Sequence, residues 1–262
     1  MLALIAGQGM LPGILAAQAD QPPMICALQG FEPDGLTPDM VFRIETLGTF
    51  LAALSAKGIT EVCFAGAITR PVIDPAAIDA ATLPLVPVLH TAIQSGDDSA
   101  LRAVMGLFES HGFTIRAAHE IAPSLLPDAG ILGQVQPTAQ DETDAARGAD
   151  IVSAMAQVDI GQACVVAQGQ ALAVEAVFGT DWMLASLRTR PAHPEGGLLF
   201  KAPKPGQDRR ADLPTIGPAT VRAVRDAGLR GIVVQAGGVM ILDCDAVIRA
   251  CDAAGLFLWV RA

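Results

Sequence analysis

The sequence predicts an α/β protein in two parts, a mostly parallel sheet with its helices in residues 1–134 and a second α/β domain in residues 135–262. Three observations predict it. Short apolar runs alternate with helical patterns as far as Arg116, the pattern of a layered fold with parallel strands. A proline- and glycine-rich stretch, Pro123 to Pro137, interrupts that alternation and reads as a linker. Beyond it a new series of strands and helices begins.

In the first part buried strands are expected at Leu2–Ala6, Met24–Leu28, Val41–Glu45 and Val62–Ala65, with Phe113–Arg116 as a further candidate. Helices are expected at Pro12–Ala19, Thr49–Lys57, Leu83–Gln94 and Ser99–Ser110. In the last of these Leu101, Val104, Leu107 and Phe108 recur at helical spacing. The second part opens with a polar helix, Ala139–Gln157. Strands Ala163–Ala167 and Ala171–Ala176 follow, joined by a turn at Gln168-Gly169-Gln170, and Thr180-Asp181 caps a further helix. Gly197–Lys201 is extended, and Pro218 suits the first turn of a helix. Ile232–Gln235 and Val239–Leu242 flank a tight Ala236-Gly237-Gly238 turn as in a hairpin. A helix Asp245–Ala254 and a strand Leu256–Val260 complete the pattern.

Composition excludes several functions. Apolar residues make up 52% of 262, enough for a large core and against disorder. Only 4% are aromatic, with no Tyr, and the net charge is −10, so neither base stacking nor phosphate-backbone attraction favours nucleic acid. Mean hydropathy is +0.44, yet no apolar run approaches the ~20 residues of a spanning helix. No signal-peptide pattern opens the chain, so a cytoplasmic protein is expected. The five cysteines show no CxxC spacing and read as buried free thiols.

Five motifs carry chemical possibilities. Gly7, Gln8, Gly9, Met10, Leu11 and Pro12 follow the first strand, where glycines admit a close ligand and a helix N-terminus offers free N–H groups. This suits a nucleotide phosphate or a plain strand–helix turn. Gly66 and Arg70 lie in a similar turn after Val62–Ala65, where Arg70 suits a phosphate. Asp97 and Asp98 are a possible pair of metal ligands, or helix caps. Glu175 interrupts an apolar run and so calls for a metal or a partner, and Thr180 and Asp181 follow it. The fifth motif runs from Lys201 to Pro218. Prolines stiffen it, and Lys201, Lys204, Arg209 and Arg210 are opposed within ten residues only by Asp208. Such a loop suits phosphoryl transfer, with cations neutralising phosphate oxygens and a carboxylate, Asp212, binding metal or activating water. A nicotinamide-dependent oxidoreductase would need an acidic residue ending the second strand, which instead ends Leu28-Gln29-Gly30. A non-catalytic nucleotide sensor would keep the glycine turn and need no Asp212.

Together the segments AGQGMLP, FAGAITRP, GDDSALR, DIGQACVVAQGQALAVEAVFGTDWML and KAPKPGQDRRADLPTIGPAT resemble the LpxI type of UDP-2,3-diacylglucosamine pyrophosphatase of lipid A biosynthesis, across nearly the whole chain. The resemblance implies an N-terminal Rossmann-like domain, a C-terminal catalytic α/β domain and a dimer. It further implies Mg²⁺-dependent attack of water at the α phosphorus of UDP-2,3-diacylglucosamine, releasing UMP and the lipid 2,3-diacylglucosamine 1-phosphate (lipid X). By the same resemblance Asp212 is the key catalytic residue, and from the charge of the loop Lys201 and Lys204 are expected to help it. Gly7–Pro12, Gly66, Arg70, Thr180, Asp181, Arg209, Arg210 and Thr215 contact substrate. Asp212, Glu175, Asp97 and Asp98 are the expected metal ligands. A substrate with two acyl chains also implies an apolar cleft and visits to the cytoplasmic face of the inner membrane. Ala185, Ser186 and Gln235 depart from the residues expected at their positions.

Overall fold

The computed structural model describes residues 1–69, 71–94, 97–189, 196–211 and 213–262, with side chains throughout these except at 93, 94 and 97–99. Two compact units are present. The first comprises Met1–Pro123 and Asp208–Asp212; the second comprises Ser124–Gln207 and Leu213–Ala262.

The first unit is built of β1 (Leu2–Ala6), α1 (Leu11–Gln18), β2 (Met24–Leu28), β3 (Met40–Phe42), α2 (Leu47–Ala56), β4 (Glu61–Ala65), α3 (Val86–Gln94), α4 (Asp97–Ser110), β5 (Thr114–Ile115) and α5 (Ala118–Ile121). Its five strands are all parallel, in the order β3-β2-β1-β4-β5. This is the Rossmann-like arrangement. Two strands, β3 and β5, are shorter than the sequence predicts; after β3, Glu45 lies in a 3₁₀ turn, Ile44–Thr46, with its carboxylate buried against Arg43 at 2.9 Å. That guanidinium holds the Glu45 carboxyl down at about 2. The core packs α2, α3 and α4 against the sheet through Phe50, Leu51, Leu54, Leu89, Met105 and Phe108. Phe42 stacks on Phe50 at 4.0 Å, and Phe108 meets Phe64 edge-on at 5.2 Å.

The second unit contains β6 (Gly130–Leu132), α6 (Ala139–Ala156), β7 (Ala163–Ala167), β8 (Gln170–Val174), α7 (Gly179–Ser186), β9 (Leu198–Lys201), β10 (Thr215–Ile216), α8 (Pro218–Asp226), β11 (Gly231–Gln235), β12 (Met240–Ile241), α9 (Cys244–Ala254) and β13 (Phe257–Arg261). Six strands form a mixed sheet in the order β6-β13-β11-β9-β7-β8, with β9, β11 and β13 parallel. Alternation sends successive side chains to opposite faces. Val165, Leu199, Val234 and Leu258 pack in one core with residues of α7, α8 and α9, while Cys164, Phe200, Val233 and Phe257 pack in another with residues of α6.

Three sequence expectations are corrected here. The stretch read as a linker contains β6, which pairs antiparallel with β13; three residues flanked by glycines and prolines leave no legible period. Val239–Leu242 does not return along β11 as a hairpin: β12 pairs in parallel with β10 instead. The helix after Glu175 starts at Gly179 with Phe178 at the cap, so Thr180 and Asp181 sit inside its first turn and cap nothing. The cysteines are all free, four buried and Cys244 half-buried. Burial pushes the Cys26, Cys63 and Cys164 thiols up to about 12.

The β7–β8 turn shows how a polar group can hold an edge in place. Gln168 and Gly169 both have positive φ, 51° and 77°, as a two-residue hairpin turn demands. Their N–H groups donate to Asp144 of α6 at 2.9 and 2.7 Å, and Asp144 is buried. Replacing Asp144 with Ala is expected to destabilise the fold by about 2–3 kcal/mol, since it strips two turn N–H groups of their acceptor. Thermal melting checks this; an unchanged midpoint would mean that water replaces the carboxylate without cost.

Candidate functional site

The strand order of the first unit reverses direction between β1 and β4, and in open parallel sheets the crevice beyond the carboxyl ends of such a pair receives ligands. Two of the glycine motifs meet there. Gly7 N–H donates to Ala65 O at 2.8 Å, and Gln8 and Ala67 exchange backbone hydrogen bonds at 3.0 and 2.9 Å. The approach leaves no room for side chains. A Cβ on Gly7 would lie 2.5 Å from Ala67 O, and one on Gly66, whose φ is +90°, 2.7 Å from Gln8 O. Gly9 differs: its φ is +97°, and a Cβ there would face open space. Gln8, Gly9 and Met10 are exposed, whereas Gly7, Leu11 and Pro12 are buried supports of the turn. Arg70 lies outside the described residues.

A residue that sequence reasoning missed stands over this turn. Asp34, in the loop after β2, accepts from Gly9 N–H at 3.0 Å. The sequence expectation looked for a carboxylate at the end of β2 itself; Asp34 arrives later in the loop, with Gly35 at φ 70° after it. His119 lies in α5 of the same unit. Its ring is held below its usual value, mainly by burial and then by the Arg209 charge, and its Nδ1 is buried without a hydrogen-bond partner among the described residues.

The charged loop is divided. In the first unit Arg210 clasps Asp208 through Nε and Nη2 at 3.0 and 2.7 Å, while its Nη1 meets Glu109 of α4 at 2.5 Å. These bonds hold the Arg210 guanidinium firmly charged and keep the Asp208 carboxyl below its usual range. Ala211 packs on the core of that unit, and Arg209 is exposed. Asp212 lies outside the described residues. In the second unit Lys204 pairs with Asp159 at 2.5 Å; Asp159 has a left-handed backbone, φ 53°. Pro203 closes on Gly238, where a Cβ would come within 2.7 Å of its ring. Thr215 lies in β10, half-buried. Gln235 lies opposite Arg261 in the register of β11 and β13, on the sheet face away from Lys201.

Lys201 is the most unusual of the expected residues. It ends β9, only 7% exposed, and donates to Thr180 Oγ1 at 2.8 Å. Thr180 in turn donates to Glu175 Oε1 at 2.8 Å, and the other Glu175 oxygen accepts from Gln162 N–H at 3.1 Å. Burial pushes the Lys201 ammonium down, and Glu175 and Asp181 oppose that. Glu175 therefore has a hydrogen-bond partner for each oxygen and a lysine for its counter-charge. Among the described residues no group of three or more His, Cys, Asp and Glu stands ready for a metal ion. The Asp97, Asp98 and Asp212 side chains lie outside that description. No described helix is long and apolar enough to cross a membrane.

Fold and site define a two-unit α/β protein with a Rossmann-like first unit, a glycine crevice at its strand reversal, and a cation buried at a strand end of the second. Family models narrow this: the LpxI N-terminal domain matches residues 1–125 and the LpxI C-terminal domain residues 128–259. The chain is also 40% identical, over 98% of its length and 96% of the relative's, to UDP-2,3-diacylglucosamine pyrophosphatase LpxI of Caulobacter vibrioides. It belongs to the LpxI family.

The crevice makes a differential prediction. Gly66→Ala, which combines strained φ with backbone contact, is expected to destabilise the first unit by about 2–4 kcal/mol. Gly9→Ala meets only the φ penalty, about 1 kcal/mol. Denaturant titration of both variants measures the difference; equal losses would show that β1 and β4 part easily at their carboxyl ends.

Proposed function

We propose that the protein hydrolyses the pyrophosphate of UDP-2,3-diacylglucosamine to UMP and 2,3-diacylglucosamine 1-phosphate in lipid A biosynthesis. The observation that carries this is the end-to-end similarity to the Caulobacter enzyme, whose name states that activity. The chemistry of the described residues supports it. A pyrophosphate needs donors and cations about its oxygens, and the turn at Gln8–Met10 leads into α1, whose N-terminus favours an anion. Asp34 offers a carboxylate of the kind that receives ribose hydroxyls in such crevices.

The further parts of the proposal follow from the resemblance to the family. Water attacks the α phosphorus, and the lipid phosphate departs as a stable anion, so no residue need protonate it. Lys201 then serves as charge rather than as acid, while Lys204 and Arg210 are already paired, with Asp159 and with Asp208 and Glu109. Asp212, matching the family's aspartate, positions or deprotonates the water. Mg²⁺ supplies neutralisation of phosphate charge; Glu175 is not proposed as its ligand, and Asp97, Asp98 and Asp212 are the remaining carboxylates for that role. The protein works as a cytoplasmic homodimer that meets its substrate at the inner face of the membrane. With a net charge of −10 it gains nothing there from general attraction to anionic lipid.

Asp212→Ala should fold and still bind substrate while losing ~10²–10⁴ in kcat, with KM moving less. Release of UMP from UDP-2,3-diacylglucosamine, followed in wild type and variant, checks this. Chelation should stop the wild-type reaction and Mg²⁺ should restore it. Near-normal kcat in the variant removes Asp212 from the mechanism, and full turnover in chelator removes the metal.

A further inference from the structure

The buried chain Lys201–Thr180–Glu175 lies wholly within the second unit, and its parts come from three elements. Lys201 ends β9, Glu175 follows β8, and Thr180 stands in the first turn of α7. Each link is tightly fixed. Glu175 N–H donates to Ala163 O at 2.9 Å, and Gly161 passes so close that a Cβ there would come within 2.2 Å of Glu175 O. Glu175 Oε1 takes the only proton that the Thr180 hydroxyl has to give, so that oxygen can only accept from any further partner, and it accepts from Lys201. Thr180 therefore has no proton left for a substrate oxygen.

Such an arrangement is costly as mere packing. Removing an ammonium and a carboxylate from water costs several kcal/mol per ion after relaxation, and a lysine at a strand end has a long stem with which to reach solvent instead. Here the stem stays in and the head group is held by a hydroxyl. The ammonium has three N–H donors, and among the described residues one is given, to Thr180. The donors that remain are at the carboxyl end of a parallel strand, the edge at which α/β sheets receive ligands.

We propose that Thr180 is a positioning residue: its hydroxyl, oriented by Glu175, fixes the Lys201 ammonium in place to meet phosphate oxygen, and Thr180 does not itself bind substrate. This rests on the reading of Lys201 as a charge-neutralising cation of the proposed hydrolysis. Glu175 has the matching task of keeping a buried cation charged, where a metal ligand had been expected. The hydroxyl, and neither the methyl nor the backbone of residue 180, is the working part.

The test compares Thr180→Val, which keeps the shape and loses the hydroxyl, with Thr180→Ser, which keeps the hydroxyl and loses the methyl. Turnover of UDP-2,3-diacylglucosamine is followed by UMP release, with circular dichroism and thermal melting as the check on folding. The Val variant should lose roughly 10–100-fold in kcat, the scale of a misplaced catalytic group, with KM within about threefold of wild type. The Ser variant should keep kcat within about threefold. Glu175→Gln, which retains an acceptor but no charge, should fall between them, and it provides the comparison if the Val variant does not fold. Wild-type kcat in the Val variant, equal loss in Val and Ser, or a change in KM alone would overturn the proposal; the last would make Thr180 a substrate ligand. Absence of UMP from the wild-type reaction would instead overturn the pyrophosphatase reading on which it rests.

Discussion

Arg210 joins the segment from Asp208 to Ala211 to the first unit, although that segment lies late in the chain. Its planar guanidinium has enough donors to clasp Asp208 with two nitrogens and still reach Glu109 of α4 with a third. One exposed ion pair would contribute little, but bidentate geometry with a second carboxylate is the arrangement in which surface pairs do hold. Backed by Ala211 on the apolar core, it makes a short piece of late sequence part of the N-terminal unit. The loop is therefore a built surface of the Rossmann-like unit as well as a connection in the second one. A lysine in place of Arg210 would keep the charge and lose the clasp.

The second unit solves a different problem, that of keeping a cation out of water. Lys201 is sheltered, but Thr180 and Glu175 supply oxygen and charge from an adjoining helix and strand end. Lys204 is tied more loosely to Asp159, at the surface. Of the four cations that make the loop stand out in sequence, Lys201, Lys204 and Arg210 thus have identified carboxylate or hydroxyl partners. The local charge of +3 counted along the sequence is largely answered by residues distant in it. What distinguishes the loop is the fixing of its cations more than their number.

Local signals were legible; long-range ones were not. Central strands such as β1 and β2 were plain because burial on both faces leaves unbroken apolar runs. Gly7 was legible as a glycine of close approach to a ligand, yet nothing in its motif says that it interlocks with the Gly66 turn, since strand pairing is not a local property. Glu175 was correctly suspected, because a carboxylate among apolar residues needs a partner, but its spacing cannot choose between a metal and Lys201. Asp34 and Glu109 gave no signal at all, being ordinary acidic residues whose meaning depends on what faces them. β6 and β10 were hidden by brevity, and β12 was legible as a strand but not in its pairing.

The central claim is that Arg210, through Glu109, holds the short segment from Asp208 to Ala211 on the N-terminal unit and that turnover depends on it. A double-mutant cycle on turnover of UDP-2,3-diacylglucosamine tests it most directly, using Arg210→Ala, Glu109→Ala and the two combined. The account predicts that Arg210→Ala lowers kcat by about an order of magnitude or more, and that adding Glu109→Ala to it costs almost nothing further. Additive losses, or an Arg210→Ala protein as active as wild type, would contradict it.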